Sequence, residues 1–397
     1  MNPGTDGMPR TGNRKLACEL MQDFAQETGL EPASDHPHRY LWTDAFAVCT
    51  YLGLFRGTGR TDYRELALRL VNQVHHTLGR HRDDDLRAGW ISGLSSEEGE
   101  QHPTAGGLRI GKPLPERSAA EPYNEQQEWD RDGQYFHYLT KWMHALHIAG
   151  SVTGNPVFGR WAIELARTAH SRFTYLPPHS ARKRMYWKMS IDLTRPLVPS
   201  LGQHDPLDGL ITYRELQLAA ESDSGYMQPV LVQEIEEMAE INRDLPLETP
   251  DPLGIGGLLS DASRIARLAG PDGPVGPDLL ERVMDAALSG LESFPGTGSL
   301  DHPARYRLAF RELGLSIGLA GTRRLPSVIL NNPHLSGRAG SLISCAEALR
   351  EYFPMKDTIE TFWTARENRM SVTWMEHRDI SMVMLATSLV PEGFLGQ

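Results

Sequence analysis

Two kinds of apolar pattern alternate along most of the chain. The stretch "LWTDAFAVCTYLGLFRG", 41 to 57, is apolar on nearly every helical face. Its successor "DYRELALRLVNQVHHTLGRH", 62 to 81, repeats apolar positions at helical spacing and turns charge to the other side. The first wants burial all round and the second needs a solvent face, so the pair predicts an inner helix backed by an outer one. The alternation returns as 132–150 before 155–173, 206–222 before 227–243, and 253–269 before 278–294. Residues 304–320 precede a helical region at 336–351, extendable to 367, and an apolar segment at 372–390 pairs with the opening helix at 14–30. About twelve helices result, six of them of the inner type.

No segment reads as a sheet strand. The "GIGG" formed by Gly254, Ile255, Gly256 and Gly257 lacks the glycine spacing and the preceding strand of a phosphate loop. Helical hairpins can stack into an open solenoid or close into a ring. A solenoid repeats a short regular unit, whereas these units are unequal and carry a long Gly-, Glu- and Pro-rich insertion at 86–131. Loops of that length without secondary structure are commonly functional or disordered. The expectation is an all-α protein: a flexible leader at 1–13, then a single domain at 14–397 forming an (α/α)6 toroid of six helical hairpins with long irregular insertions.

This organisation resembles the six-hairpin, (α/α)6-barrel superfamily of glycoside hydrolases, polysaccharide lyases and sugar epimerases. The fragments "LWTDAF", "EWDRDGQYFHY" and "TWMEHRD" support the resemblance, which covers nearly the whole chain from about residue 14. It implies an active-site cleft at one end of the ring, lined by acids, aromatics, His and Arg from inner-helix ends and loops.

Composition narrows the functional classes. A net charge of −11 argues against general affinity for nucleic acid or anionic membrane, despite the basic run "SARKRMYWK". No apolar run approaches the roughly 20 residues that span a bilayer, and "MNPGTDGMPRTGNRK" has no apolar signal segment, so cytoplasmic residence is expected. Cys18, Cys49 and Cys345 are too scattered for a metal knuckle or redox pair. His75, His76 and His81 have no zinc spacing, and Asp83, Asp84 and Asp85 lack an EF-hand pattern. No cofactor and no metal are expected.

The candidate chemistry sits at predicted helix starts. Asp44 follows Trp42, and Asp132 follows Trp129 and Asp130. A carboxylate near a helix start is often only a cap. With tryptophan beside it, however, it can bind a sugar, whose C–H faces suit aromatic planes and whose hydroxyls suit acids. Glycoside hydrolysis needs one protonated acid and one second carboxylate, which makes Asp44 and Asp132 the expected pair, with Glu376 or His377 as alternative partner. Trp42, Trp129, Tyr135, His137, Arg184, Trp187, His204 and Asp205 are the expected substrate-binding residues. Arg184 or Arg195 suits a uronate carboxylate. His144 and His147 share a helical sector with His137 and are read either as satisfied core groups or as neighbours of a polar cavity.

The expected function is carbohydrate chemistry, foremost hydrolysis of a small saccharide or glycoconjugate. Sugar epimerisation, β-elimination from a uronate, a toroidal terpene-handling enzyme and a non-enzymatic helical scaffold are the alternatives. An apolar cavity would mark the terpene reading, and an exposed patch without an enclosed cluster of acids would mark the scaffold.

Overall fold

Six mutually packed helices form a closed inner ring, and each is backed by an outer helix. The computed structural model describes residues 11–222, 230–271, 273–294, 296 and 298–396. In chain order the ring helices are α1 (Thr11–Glu27), α2 (Leu41–Thr58), α3 (Thr61–Leu78), α4 (Phe136–Thr153), α5 (Pro156–Phe173) and α6 (Asp205–Glu221). They continue as α7 (Val232–Asn242), α8 (Pro252–Leu268), α9 (Pro277–Ser293), α10 (Ala309–Thr322), α11 (Phe353–Thr364) and α12 (Arg378–Leu389). Inner helices α2, α4, α6, α8, α10 and α12 each touch the next, and α12 returns to α2, which closes the ring. Outer partners are α3, α5, α7, α9, α11 and α1. This is an (α/α)6 toroid.

Burial explains the two patterns read from the sequence. In α2, every residue from Leu41 to Leu52 is buried, whereas α3 buries one stripe that includes Tyr63, Ala67, Leu70, Val71 and Val74. Terminators follow local chemistry. Gly59 ends α2 in the left-handed region at φ 72°, which costs glycine little. Asn155 accepts from the Val157 N–H and Pro156 opens α5 where a missing N–H is harmless.

Several boundaries depart from expectation. Residues 132–135 are not helical: Gly133 turns the chain at φ 144°, and Gln134 and Tyr135 form a short strand before α4. The expected helix at 336–367 is two helices, Ala339–Arg350 and α11, with Pro354 in the first turn of the second. Only α11 is the main backing of α10; Ala339–Arg350 packs on α9. The 372–390 segment breaks at His377 into Val372–Glu376 and α12. The expected leader lies outside the described residues apart from 11–13, which begin α1, and 227–229 of the fourth outer helix also lie outside them.

Short strands were not expected. β1 (Gln134–Tyr135), β2 (Thr174–Tyr175), β3 (Arg184–Met185), β4 (Lys188–Met189) and β5 (Pro196–Val198) make two small antiparallel sheets, ordered β1-β4-β5 and β2-β3. They brace the loops over one mouth of the ring. Helices α8 and α10 approach unusually closely. A Cβ at Gly256 would lie 2.1 Å from the Gly314 carbonyl oxygen, and one at Gly318 would lie 2.4 Å from that of Gly256. That contact, rather than phosphate binding, accounts for the glycine at position 256. No helix among the described residues is long and apolar enough to cross a membrane.

Candidate active site

The first turn of every inner helix faces one cavity: Trp42, His137, Asp205, Leu253, Arg311 and Asp379 come from six different helices. The cavity has an inner compartment of about 530 Å³ and an outer one of about 720 Å³. Trp42, His137, Trp187, Leu253 and Arg311 border both and form the neck between them. The inner-helix N-termini direct their partial positive charge toward this mouth, an arrangement that favours carboxylates there.

Four aspartates line the inner compartment: Asp205 and Asp208 from α6, Asp261 from α8, and Asp251, which caps α8 and accepts from Arg311 at 2.6 Å. Burial drives the Asp205 carboxyl well above the ordinary range, and the negative charge of Asp208 pushes it the same way. Among the described residues its buried Oδ2 has no hydrogen-bond partner, and neither has the buried Nδ1 of His137. Asp205 Oδ1 and His137 Nδ1 lie 3.6 Å apart, too far for a hydrogen bond. Both side chains line the inner compartment, although these two atoms are themselves shielded from solvent. Gly202 permits the approach of the backbone to Asp205, since a Cβ there would meet its carboxyl atoms at 2.5 Å.

Asp208 is in the opposite state. Burial pushes it up, but the Lys141 ammonium, 2.7 Å from its Oδ1, and more distant Arg264 pull it below the usual carboxylate range. Burial raises Asp261 to about 7, helped by the Asp208 charge and opposed by Lys141 and Arg264. One turn of α6 thus holds two acids whose surroundings push them in opposite directions.

Aromatic rings dominate the neck and the outer wall. Trp187 meets Trp129 edge-on at 5.2 Å and Tyr135 at 5.1 Å, and lies parallel to the His137 ring at 6.4 Å. Trp129 is half exposed. The Tyr40 and Tyr138 hydroxyls bond at 2.5 Å on the same side. His38 meets Asp379 at 3.0 Å, and that hydrogen bond raises the imidazole above its ordinary value.

Nine of the expected site residues line this cavity: Trp42, Trp129, Tyr135, His137, Trp187, His204, Asp205, Glu376 and His377. His204 Nε2 donates to the Leu247 carbonyl at 2.8 Å, and burial lowers its pKa. Burial lowers His377 too, and takes His137 down to about 4. Both are neutral near neutrality.

Asp44, Asp132 and Arg184 do not line it, so the structure does not support the expected Asp44/Asp132 pair. Asp44 is sealed in, accepting from the Tyr40 N–H and pairing with the buried Arg39; desolvation lifts it to about 6 against the pull of Arg39. Asp132 accepts from Arg109 at 2.9 Å, Arg82 at 3.3 Å and the Gly111 N–H at 2.9 Å. It ties the 86–131 insertion to the body of the ring, and Gly111, Lys112 and Trp129 thereby become cavity wall. Arg184 sits in β3, exposed and paired in register with Tyr175.

The three histidines of α4 divide. His144 is a satisfied core residue, with Glu215 on Nδ1 and the Phe394 carbonyl on Nε2, both at 2.8 Å. His137 borders the cavity, and His147 lines a separate groove with Asn155 and Leu216. Lys141, Asp208 and Asp261 went unassigned from the sequence. For Asp208 a signal existed: "HDPLDG" places it three residues after Asp205, one turn along the same helix.

No family model matches the chain, and no curated protein does. Among solved structures it is similar to a GH76 alpha-mannanase of Bacteroides thetaiotaomicron, with a TM-score of 0.53, 8% identity and 97% of each chain covered. It is also similar to a sugar epimerase from a ruminal bacterium, with a TM-score of 0.45, 10% identity and 86% of each chain covered. The likeness to the mannanase shows the fold, an (α/α)6 toroid of six helical hairpins.

Proposed function

We propose that the protein is a carbohydrate-active enzyme that hydrolyses the glycosidic bond of a small saccharide or sugar conjugate. The carrying observation is the Asp205/Asp208 pair, an acid whose pKa burial raises beside an acid that Lys141 holds down from 2.7 Å, inside an aromatic-walled cavity. Environments that drive two carboxyls apart in this way assign their roles. Asp205 donates its proton to the leaving oxygen as the anomeric C–O bond breaks. Asp208 stabilises the positive charge that develops on the sugar. Water then delivers its hydroxyl to the anomeric carbon and its remaining proton to Asp205. Trp42 and Trp187 offer ring faces to the sugar, and His137 stands beside them at the neck.

The acid-lined compartment fits a terpene poorly, and an enclosed cluster of acids and aromatics is not what a bare scaffold requires. The fold also serves sugar epimerisation, which would need a base and an acid on opposite faces of the ring.

The test is a panel of 4-nitrophenyl glycosides of both anomeric forms, followed by Asp205→Asn on any substrate that turns over. Loss of the general acid should lower kcat by about 100- to 10,000-fold while the protein stays folded. Unchanged turnover in Asp205→Asn would remove its assigned role, and conversion of free sugars without bond cleavage would favour epimerisation.

A further inference from the structure

We infer that the enzyme removes one sugar at a time from the non-reducing end of its substrate and does not cut internal linkages. This rests on the hydrolase reading above and deepens it. The inner compartment is blind. Its floor is built from Phe46, Ile317, Met384 and Phe394, with the Phe46 and Phe394 rings stacked at 4.2 Å. Phe394 comes from the short helix Glu392–Leu395, which lies against α2, α4 and α8 and so crosses the far mouth of the ring.

Polar groups reinforce the floor. Glu215 holds His144 at 2.8 Å and Arg264 at 2.9 Å, and His144 in turn binds the Phe394 carbonyl. Across the ring, Thr50 bonds Thr387 and Ser316 bonds Ser388, each at 2.7 Å. A chain threaded through the ring would have to break this layer, which no surface groove requires.

Orientation follows from where the charges sit. Asp205 and Asp208 line the inner compartment and not the outer one. Positive charge develops on the sugar whose anomeric bond breaks, so that sugar belongs beside the ionised Asp208, on the blind side of the neck. Its leaving group then extends through the neck, past Trp42 and Trp187, into the aromatic outer compartment. The floor ends the compartment on this side of the neck, so the bond cut is a terminal one, and the outer compartment holds the next sugar or an apolar aglycone.

The test uses the full-length protein and linear oligosaccharides of the sugar found by the aryl-glycoside panel, labelled with a fluorophore at the reducing end. A second set is capped at the non-reducing end by a 4,6-benzylidene group. The inference expects free monosaccharide as the sole unlabelled product, labelled products that shorten by one unit at a time, and loss of cleavage in the capped set. Early unlabelled di- or trisaccharide, or cleavage of the capped set, would overturn it and leave the hydrolase reading standing. No turnover of aryl glycosides or oligosaccharides would instead remove the hydrolase reading, and this inference with it.

Discussion

Asp132 and Asp208 differ chiefly in what stands beside them. Asp132 accepts from two arginines and a backbone N–H in a buried position, so its charge is neutralised on the spot. Replacing it by Asn leaves Arg109 with an uncompensated charge, a loss of about 3–5 kcal/mol for a broken buried pair. Scanning calorimetry of Asp132→Asn should show a lowered Tm, and KM should rise because Lys112 is set loose from the outer wall. Asp208 has one close cation, and Lys141→Met removes it. Burial then raises the Asp208 pKa unopposed by that charge, so the carboxylate protonates at higher pH. The acid limb of kcat/KM against pH should move upward, and the basic limb, where Asp205 loses its proton, is also freed from the downward pull of that ammonium. An unmoved acid limb would mean that Asp208 is not the charged partner. Sequence favoured Asp132 because tryptophan stands nearby in the chain. Its actual partners come from 23 and 50 residues away, a distance over which local pattern carries no signal.

Elements were far more readable than sites. All six inner helices and five of their outer partners could be traced from periodicity, because an all-apolar helix and a one-sided helix face different solvents; the sixth, α11, lies only within the extension to 367. What escaped were the ends, where Gly133, Pro354 and His377 redirect the chain. Those ends matter most for chemistry, since each inner helix offers its first turn to the cavity. At the start of α6, the loop before the helix also sets the acid. A Cβ at Gly202 would collide with the Asp205 carboxyl. Gly202→Ala should therefore lower kcat well beyond its effect on stability, because a misplacement of about 1 Å can cost about 100-fold. Steady-state kinetics alongside thermal melts would separate the two. Parallel losses in both would reduce Gly202 to a folding residue.

At the scale of the whole molecule, the ring shape and the location of the cavity follow from closure: α12 must lie against both α2 and α10 for the hollow to exist. The floor depends on one further residue. Phe394→Ala removes a buried ring stacked on Phe46, and such truncations cost about 3–5 kcal/mol. The denaturant midpoint should fall accordingly; an unchanged midpoint would mean that the far mouth is not sealed by packing. The same closure has a bearing on biosynthesis. Helix α1 lies beside α12, so the earliest ring segment made waits for the latest. Contacts of such long sequence separation are slow to form. A nascent chain lacking α12 and Phe394 has one stave of the ring missing and no bottom, so the hollow is enclosed only after both have been made.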